Sequence, residues 1–309
     1  MSLATLATNN AVATTNLTKT YRSRTALQDC TIAVPEGRVC ALVGPNGAGK
    51  TTLLKLLAGL ASPTAGEASV LGRRPGQDLA FLADIGFLAQ EVPLWSRLSA
   101  QDHIEIGARL NPRWDGEGAR ARVRSVGVAL DQPVGTLSGG ERAQVALSLA
   151  LAKRPRLLLL DEPVAALDPL ARRHFMGALV EAVADGDLTV IISSHLIGDL
   201  ERICDHLVLL SRARPQLCGD INEIVAEHKL LTGARRGAAD HSAHHNSGYE
   251  VVESVHTPRQ TSLLIRATAP VLDPAWEVTD VGLEDIVLAY MGQDGPPALR
   301  AVQPVGGER

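Results

Sequence analysis

The stretch Gly44-Pro45-Asn46-Gly47-Ala48-Gly49-Lys50-Thr51 decides the fold of this chain, because it matches the pattern G-x-x-x-x-G-K-[ST] in full. This phosphate loop follows an apolar run at 39–43, which predicts a buried strand, and precedes a leucine-rich run at 51–60, which predicts a helix. Glycines let the backbone curl so that its N–H groups point inward, and these groups attract phosphate together with the positive end of the helix. Lys50 adds a full charge near the terminal phosphates, and the Thr51 hydroxyl is suited to ligate Mg²⁺. The loop, continued by Thr52, therefore predicts binding of the phosphates of ATP.

An acidic pair after a second apolar run supplies the chemistry that the phosphate loop lacks. Four leucines at 157–160 predict a buried strand, and Asp161 and Glu162 follow it directly. At the end of that strand Asp161 would lie beside Mg²⁺, and Glu162 would lie nearer the terminal phosphate, where a carboxylate polarises an attacking water. The sequence therefore predicts that ATP is hydrolysed, with Lys50 and Glu162 as catalytic residues.

The composition argues against several classes of protein. The 309 residues carry a net charge of −4, and only 3% of them are aromatic, so neither a basic surface nor base stacking indicates a nucleic-acid partner. No apolar run approaches the roughly 20 residues that cross a bilayer, and the N-terminus lacks the basic start and apolar centre of a signal peptide. The four cysteines have no metal-ligand spacing. We therefore expect a cytoplasmic protein that reaches a membrane only by docking to another protein.

Strands and helices are predicted in alternation, which is typical of an α/β sheet, and a mostly helical stretch at 94–151 predicts an insertion. The predicted strands lie at 11–17, 30–34, 38–43, 157–160, 188–193 and 205–210, followed by C-terminal strands at 249–252, 263–265 and 276–278. The predicted helices lie at 100–110, 116–128, 141–152, 169–184, 197–204 and 283–291. Residues 233–248 contain three histidines, but no carboxylate or cysteine lies at ligand spacing from them, so a polar loop is favoured over a metal site.

A third motif, the signature loop Leu137-Ser138-Gly139-Gly140-Glu141, closely resembles the LSGGQ signature of the ABC (ATP-binding cassette) ATPases. Four further positions resemble motifs of that family in the same order along the chain. They are Tyr21, placed like the aromatic residue that lies against adenine, Gln90, placed like the Q-loop glutamine, Ala166-Leu167-Asp168, placed like the D-loop, and His195, placed like the switch histidine. The resemblance covers residues from about 11 to about 225.

The resemblance implies the architecture of the chain. The implied fold is an α/β P-loop NTPase of ABC type, with a mixed sheet core, an antiparallel β subdomain and a helical subdomain. The strands and helix predicted after residue 249 add a small C-terminal α+β appendage. The implied ATPase domain covers 1–228, with the helical subdomain at about 91–152. A linker at 229–248, the appendage at 249–292 and a disordered tail at 293–309 complete the prediction.

The resemblance also implies how the site works. Two such domains close head to tail, and Ser138, Gly139 and Gly140 of one bind the terminal phosphate of ATP held by the phosphate loop of the other. The chain would therefore form a homodimer, or a heterodimer with a second ABC ATPase. His195 would join the catalytic residues, Tyr21 and Gln90 would contact the nucleotide, and Gln90 would join Thr51 and Asp161 as a ligand of Mg²⁺. Glu141 departs from the usual glutamine, which puts a negative charge near the partner's ATP and predicts a weaker contact there.

The implied function is the ATPase subunit of an ABC transporter, peripheral at the inner face of the cell membrane and bound to an integral membrane permease through Gln90 and residues 91–101. Residues 281–290 resemble the closing helix of multidrug and antibiotic exporter ATPases, which favours export. The alternative is a soluble ABC ATPase that acts on ribosomes or DNA. Members of that kind usually carry two cassettes or a long coiled coil, and this sequence has neither. An unrelated P-loop kinase would have no use for the signature loop.

Overall fold

The computed structural model describes residues 9–184, 187–195, 197–198, 200–235 and 249–292. The strands, in chain order, are β1 (Asn10–Tyr21), β2 (Arg24–Cys30), β3 (Ala33–Pro35), β4 (Val39–Val43), β5 (Ala65–Val70), β6 (Ile85–Leu88), β7 (Leu157–Leu160), β8 (Thr189–Ser194), β9 (His206–Ser211), β10 (Arg214–Asp220), β11 (His228–Ala234), β12 (Tyr249–His256), β13 (Gln260–Ala267) and β14 (Glu277–Asp280). The helices are α1 (Lys50–Leu57), α2 (Leu79–Asp84), α3 (Ala100–Leu110), α4 (Gly116–Ser125), α5 (Gly139–Ala152), α6 (Pro169–Val183), α7 (Ile221–Glu227) and α8 (Leu283–Gly292).

The central sheet has the strand order β10-β9-β4-β8-β7-β6, and all its neighbours are parallel except the β9–β10 hairpin. Every residue of β4, β7 and β8 is buried, because the sheet is covered on both faces, and this is why β4 and β7 read as unbroken apolar runs. In β4, Val39 and Ala41 pack on one face while Cys40 and Leu42 pack on the other. The carboxyl ends of these parallel strands meet at one edge, where the phosphate loop, Gln90, Asp161, Glu162 and His195 follow them.

The N-terminal strands form an antiparallel sheet in which β1 pairs with β2, β3 and β5. The single strand predicted at 30–34 is divided between β2, which ends at Cys30, and β3, which begins at Ala33. The Thr14 hydroxyl explains the break, because it donates to the carbonyl of Cys30 and accepts the N–H of Ile32. This hydroxyl therefore binds backbone groups on either side of the gap between the two strands.

The insertion contains α3, α4 and α5, which pack on one another around small apolar clusters. Helix α3 begins after Ser99, whose side chain and that of Asp102 exchange hydrogen bonds with each other's backbone N–H groups. Helix α4 ends at Ser125, three residues before the end predicted at 128. The helix predicted at 197–204 is instead a series of turns in the described residues of that range.

The C-terminal strands form a second antiparallel sheet in the order β12-β13-β11-β14. The prediction of a linker from 229 was wrong for its first part, because β11 pairs with β13 from His228 to Ala234 and also with β14. The three histidines and the predicted tail at 293–309 lie outside the described residues. Helix α8 packs into the same core as the central sheet, where Ile286 and Val287 join Leu207 and Leu209 of β9. The C-terminal elements thus share a core with the central sheet. Among the described residues, no helix is both long and apolar enough to span a lipid bilayer.

Candidate nucleotide-binding and hydrolysis site

The phosphate loop connects β4 to α1 and is held in its curved form by glycine. Gly44, Gly47 and Gly49 have φ angles of 157°, 81° and 107°, which residues with a Cβ atom rarely adopt. A Cβ atom on Gly49 would also lie 2.5 Å from the carbonyl oxygen of Ala26. Helix α1 starts immediately after Gly49 without a side-chain cap, so its first N–H groups have no acceptor from a capping side chain. This arrangement suits an anion.

Three predicted catalytic residues form a continuous chain of polar contacts. The Lys50 ammonium donates to the carbonyl oxygen of Gly44 at 2.7 Å and lies 3.1 Å from Oε1 of Glu162. Oε2 of the same carboxylate lies 2.9 Å from Nδ1 of His195. Lys50 and Glu162 are only 6% and 9% exposed, so their opposite charges offset each other in a largely water-free environment. The structure thus brings together the cation of the phosphate loop, the acidic residue after β7 and the histidine after β8.

Asp161 is fixed by hydroxyl groups from two neighbouring elements. Its Oδ1 accepts hydrogen bonds from the Thr51 hydroxyl at 3.1 Å and from the Ser193 hydroxyl at 2.9 Å. The Ser193 oxygen in turn accepts the backbone N–H of Glu162 at 2.8 Å, and Glu162 has a φ of 47°, in the left-handed region. Ser193 therefore holds both acidic residues, and the sequence analysis missed this role. The available signal was a serine at the end of a buried apolar strand, two positions before His195.

A cavity of about 440 Å³ opens over these groups. Of the predicted site residues, its walls contain Tyr21, Asn46, Gly47, Ala48, Gly49, Lys50, Thr51, Thr52, Gln90, Glu162 and His195. Gly44 and Pro45 contribute carbonyl oxygens to Lys50 instead. Arg24, Ala26 and Ala165 also line the cavity, and the sequence analysis named none of them. Tyr21 is 46% exposed, and the Lys19 ammonium lies 4.9 Å from its ring centroid.

The signature loop does not line this cavity but forms the start of α5. Ser138 and Glu141 build a capping box, in which the Glu141 N–H donates to the Ser138 hydroxyl at 3.2 Å and the Ser138 N–H donates to the Glu141 carboxylate at 2.7 Å. The backbone hydrogen bond from Ser138 lowers the pKa of Glu141 below its ordinary value. Gly140 is needed for packing, because a Cβ atom there would lie 2.6 Å from that of Ala171 in α6. Gly139 and Ser138 are exposed to solvent.

The comparisons with known proteins agree with this geometry. Residues 27–165 match the family described as ABC transporter. The chain is 35% identical to the phosphonates import ATP-binding protein PhnC 2 of Pseudomonas savastanoi pv. phaseolicola, over 67% of this chain and 83% of that protein. It is 34% identical to the lantibiotic transport ATP-binding protein SrtF of Streptococcus pyogenes, over 62% of this chain and 83% of that protein. A dimeric post-hydrolysis structure of the ATP-binding cassette MJ0796 with ADP and Pi is similar at a TM-score of 0.61 and 25% identity, over 68% of this chain and 98% of that one.

Proposed function

The chain belongs to the ABC transporter family as an ATP-binding subunit with ATPase activity, and on this premise we propose that it powers export through a separate integral membrane permease. The observation that carries the ATP-hydrolysing part of the proposal is the contact chain from Lys50 through Glu162 to His195, which lies in the wall of one cavity at the carboxyl edge of the sheet. Such a site joins a phosphate-binding cation to a carboxylate that can act on water.

The proposed chemistry assigns one task to each group. The phosphate loop binds the phosphates of ATP through backbone N–H groups, and Lys50 offsets their charge. Glu162 orients and polarises the attacking water, and His195 holds the Glu162 carboxylate through the 2.9 Å contact. Tyr21, on the cavity wall, provides an exposed ring for the adenine base.

The oxygen atoms near the phosphate loop fit Mg²⁺. The Thr51 hydroxyl, the Asp161 carboxylate and the Gln90 side-chain oxygen are hard ligands of the kind this ion prefers, and Mg²⁺ commonly uses only one or two carboxylates with waters and phosphates. Within the described ranges, no group of three or more histidine, cysteine or acidic side chains is arranged to hold a metal ion. Bound there, Mg²⁺ would neutralise charge on the terminal phosphates of ATP.

We propose further that the site is completed by a second subunit, either another copy of this chain or a related ABC ATPase. In the capping box the Ser138 oxygen accepts the Glu141 N–H, and the Ser138 hydroxyl also bonds the Glu141 carboxylate, so Ser138 is held at the exposed start of α5. The backbone N–H groups of Gly139 and Gly140 lie in the first turn of α5, and the N-terminus of a helix favours an anion. These donors lie outside the cavity of their own copy, so the proposed target is the terminal phosphate of ATP on the partner.

The membrane partner is assigned to the region after β6. Residues 91–101 are proposed to contact the permease, and Trp95 in this segment exposes 61% of its surface. This contact would place the chain at the inner face of the membrane. Export as the direction is supported by the resemblance of residues 281–290 to the closing helix of exporter ATPases; this range comprises the first eight residues of α8 and the two residues before it. The relatives include proteins named for import as well as for lantibiotic transport. The proposed ATPase domain remains 1–228, with the helical subdomain at about 91–152.

Complementation between two inactive variants tests the two-subunit proposal. Lys50→Ala removes the cation of the phosphate loop, and Ser138→Ala removes a donor of the signature loop, so each variant alone is expected to be inactive. Mixing them creates heterodimers with one intact composite site, and ATPase activity should return. A mixture that stays inactive, beside a fully active wild-type control, would reject the composite site.

Two further measurements test turnover and transport. Glu162→Gln should bind ATP, lose turnover and accumulate as a dimer, whereas Glu67→Gln, an exposed residue on β5, serves as the matched control and should stay active. Unchanged turnover in Glu162→Gln would remove Glu162 from the mechanism.

Copurification with an integral membrane protein tests the proposed permease partner. Transport assays in vesicles with the ATPase facing outward test the direction of transport, since uptake into such vesicles is export.

A further inference from the structure

Arg24 lies beside Tyr21 on the wall of the cavity. The two residues face each other across the β1–β2 hairpin, where Tyr21 and Arg24 form the last pair before the turn at Arg22 and Ser23. Residues paired directly across two antiparallel strands project to the same face of the sheet. Both side chains line the cavity that also contains the phosphate loop. The hairpin therefore brings a guanidinium group next to the ring proposed to hold adenine.

The Arg24 side chain extends from the hairpin to the phosphate loop. A Cβ atom built on Gly47 would lie only 3.2 Å from Nη2 of Arg24, so the guanidinium lies directly against this glycine. Gly47 is in the middle of the loop, and its φ of 81° belongs to the turn that directs the backbone N–H groups inward. The guanidinium is thus at the border between the adenine side and the phosphate side of the cavity.

The charges on the cavity wall distinguish Arg24 from Lys50. Lys50 already faces the Glu162 carboxylate at 3.1 Å, so its charge is largely offset within the protein. Across the part of the chain that the structure describes, the Arg24 guanidinium forms no ion pair. An arginine without a carboxylate partner, beside a loop built for phosphate, offers two parallel N–H donors to an anion.

We propose that Arg24 is a further nucleotide-binding residue, whose guanidinium binds the phosphate chain of ATP as a second cation beside Lys50. This inference rests on the proposed function and adds a residue that the phosphate-loop pattern does not contain. It assigns a role to the β1–β2 hairpin: one strand supplies the aromatic ring for the base, and the next supplies a charge for the phosphates. ADP is bound in the same way, because it keeps the phosphates nearest the ribose.

Binding measurements on the full chain test the proposal with Arg24→Ala, Arg24→Lys and the control Arg22→Ala. Arg22 belongs to the same hairpin turn but does not line the cavity. Calorimetry with ATP and ADP should show about tenfold weaker binding for Arg24→Ala, a smaller loss for Arg24→Lys and no change for Arg22→Ala. The difference between Arg24→Ala and wild type should shrink as the salt concentration rises, because the contact is partly exposed.

Binding of adenosine, measured by ligand-observed NMR, distinguishes loss of a phosphate contact from a change in the structure of the hairpin. Its affinity should be the same for wild type and Arg24→Ala, since it carries no phosphate. Equal losses for adenosine and ATP would overturn the proposal and place the effect on the Tyr21 wall, and so would an Arg24→Ala variant that binds ATP as wild type does. If wild type itself does not bind ATP, the proposed function fails, and this outcome is distinct from failure of Arg24 alone.

Discussion

Replacing Glu141 gives the sharpest test of how the signature loop works, because the structure assigns this departure from the usual glutamine a definite contact. The Glu141 carboxylate accepts the Ser138 N–H at 2.7 Å, and the Glu141 N–H is bound to the Ser138 hydroxyl. Glu141→Gln keeps an oxygen acceptor at this position and removes the charge, since both residues occur in capping boxes. Glu141→Ala removes the acceptor. The two variants therefore separate positioning of the loop from its charge.

The expected loss of dimer stability in Glu141→Ala follows from the energy of the helix cap and from the symmetry of the proposed dimer. Losing such a cap costs about 1 kcal/mol of local helix stability. A dimer with two composite sites contains the contact twice, so Glu141→Ala should lose about 2 kcal/mol of dimer stability if the full cost is transmitted, which is roughly 30-fold in the dissociation constant. Glu141→Gln should instead tighten the dimer, because a negative charge near the partner's phosphates is gone.

The assay measures ATP-dependent dimerisation in the Glu162→Gln background by analytical ultracentrifugation, with ATP affinity of the separated monomers measured in parallel. Monomer affinity should not change, since residues 137–141 lie outside the cavity of their own copy. Hydrogen bonding to Ser138 lowers the pKa of Glu141 from an ordinary value of 4.5, so the cap is complete above that pH and is lost only as pH falls through the lowered pKa. The ratio of the dimer dissociation constants of Glu141→Ala and its parent should therefore be constant between pH 7 and 8. The reasoning is refuted if Glu141→Ala dimerises like its parent, or if Glu141→Gln weakens the dimer as much as Glu141→Ala does.

Three further changes have expected outcomes. Lys50→Ala should weaken ATP binding at least tenfold in calorimetry, because the main phosphate-facing charge is lost, and normal affinity would contradict the loop assignment. Gly49→Ala should abolish nucleotide binding, since its Cβ atom would lie 2.5 Å from the Ala26 carbonyl at a φ of 107°, and circular dichroism checks that the rest stays folded. Burial lowers the pKa of His228, whose ring contacts the Tyr290 hydroxyl and the Ile224 carbonyl, so the unfolded chain binds a proton below pH 6.5 that the folded chain does not. Urea titrations should show stability falling from pH 7 to 5, and His228→Gln should reduce that slope without removing it, because burial also lowers the pKa of His206.

The sequence was sufficient to predict those elements whose structure is determined by local chemistry. The runs at 39–43 and 157–160 are apolar throughout because both faces of the central sheet are covered, so their strands could be predicted without knowing their partners. The glycines of the phosphate loop need backbone angles that few other residues adopt, so the sequence pattern alone predicts the conformation of the loop. Family resemblance then placed Gln90 and His195, and both line the cavity.

The sequence was insufficient to predict those elements whose structure depends on contacts with residues elsewhere in the chain. Strand β2 begins with exposed, polar residues and only its last residue was included in a predicted strand, yet it pairs with β1 along its length. This is also why Arg24 was missed, since its place in the cavity follows from register with Tyr21. Residues 229–234 were predicted as part of a linker but belong to β11, where a Cβ atom on Gly233 would lie 2.8 Å from the Ala275 carbonyl and against the Trp276 ring. Glycine marks close packing at this position, and only the tertiary structure reveals it.

The arrangement of charge supports the proposal that one copy contains only part of a hydrolysis site. Within the copy, Lys50 is balanced by Glu162, and Asp161 is bound by two hydroxyl groups, so the groups that act on water are already well satisfied by one another. Binding ATP adds several negative charges that Lys50 alone cannot offset while it also faces Glu162. Arg24 from the hairpin, Mg²⁺ and the donors at the start of α5 of a partner are the proposed sources of the remaining compensation. In the proposed dimer those last donors come from another molecule, so charge balance on the terminal phosphate, and with it turnover, would depend on assembly.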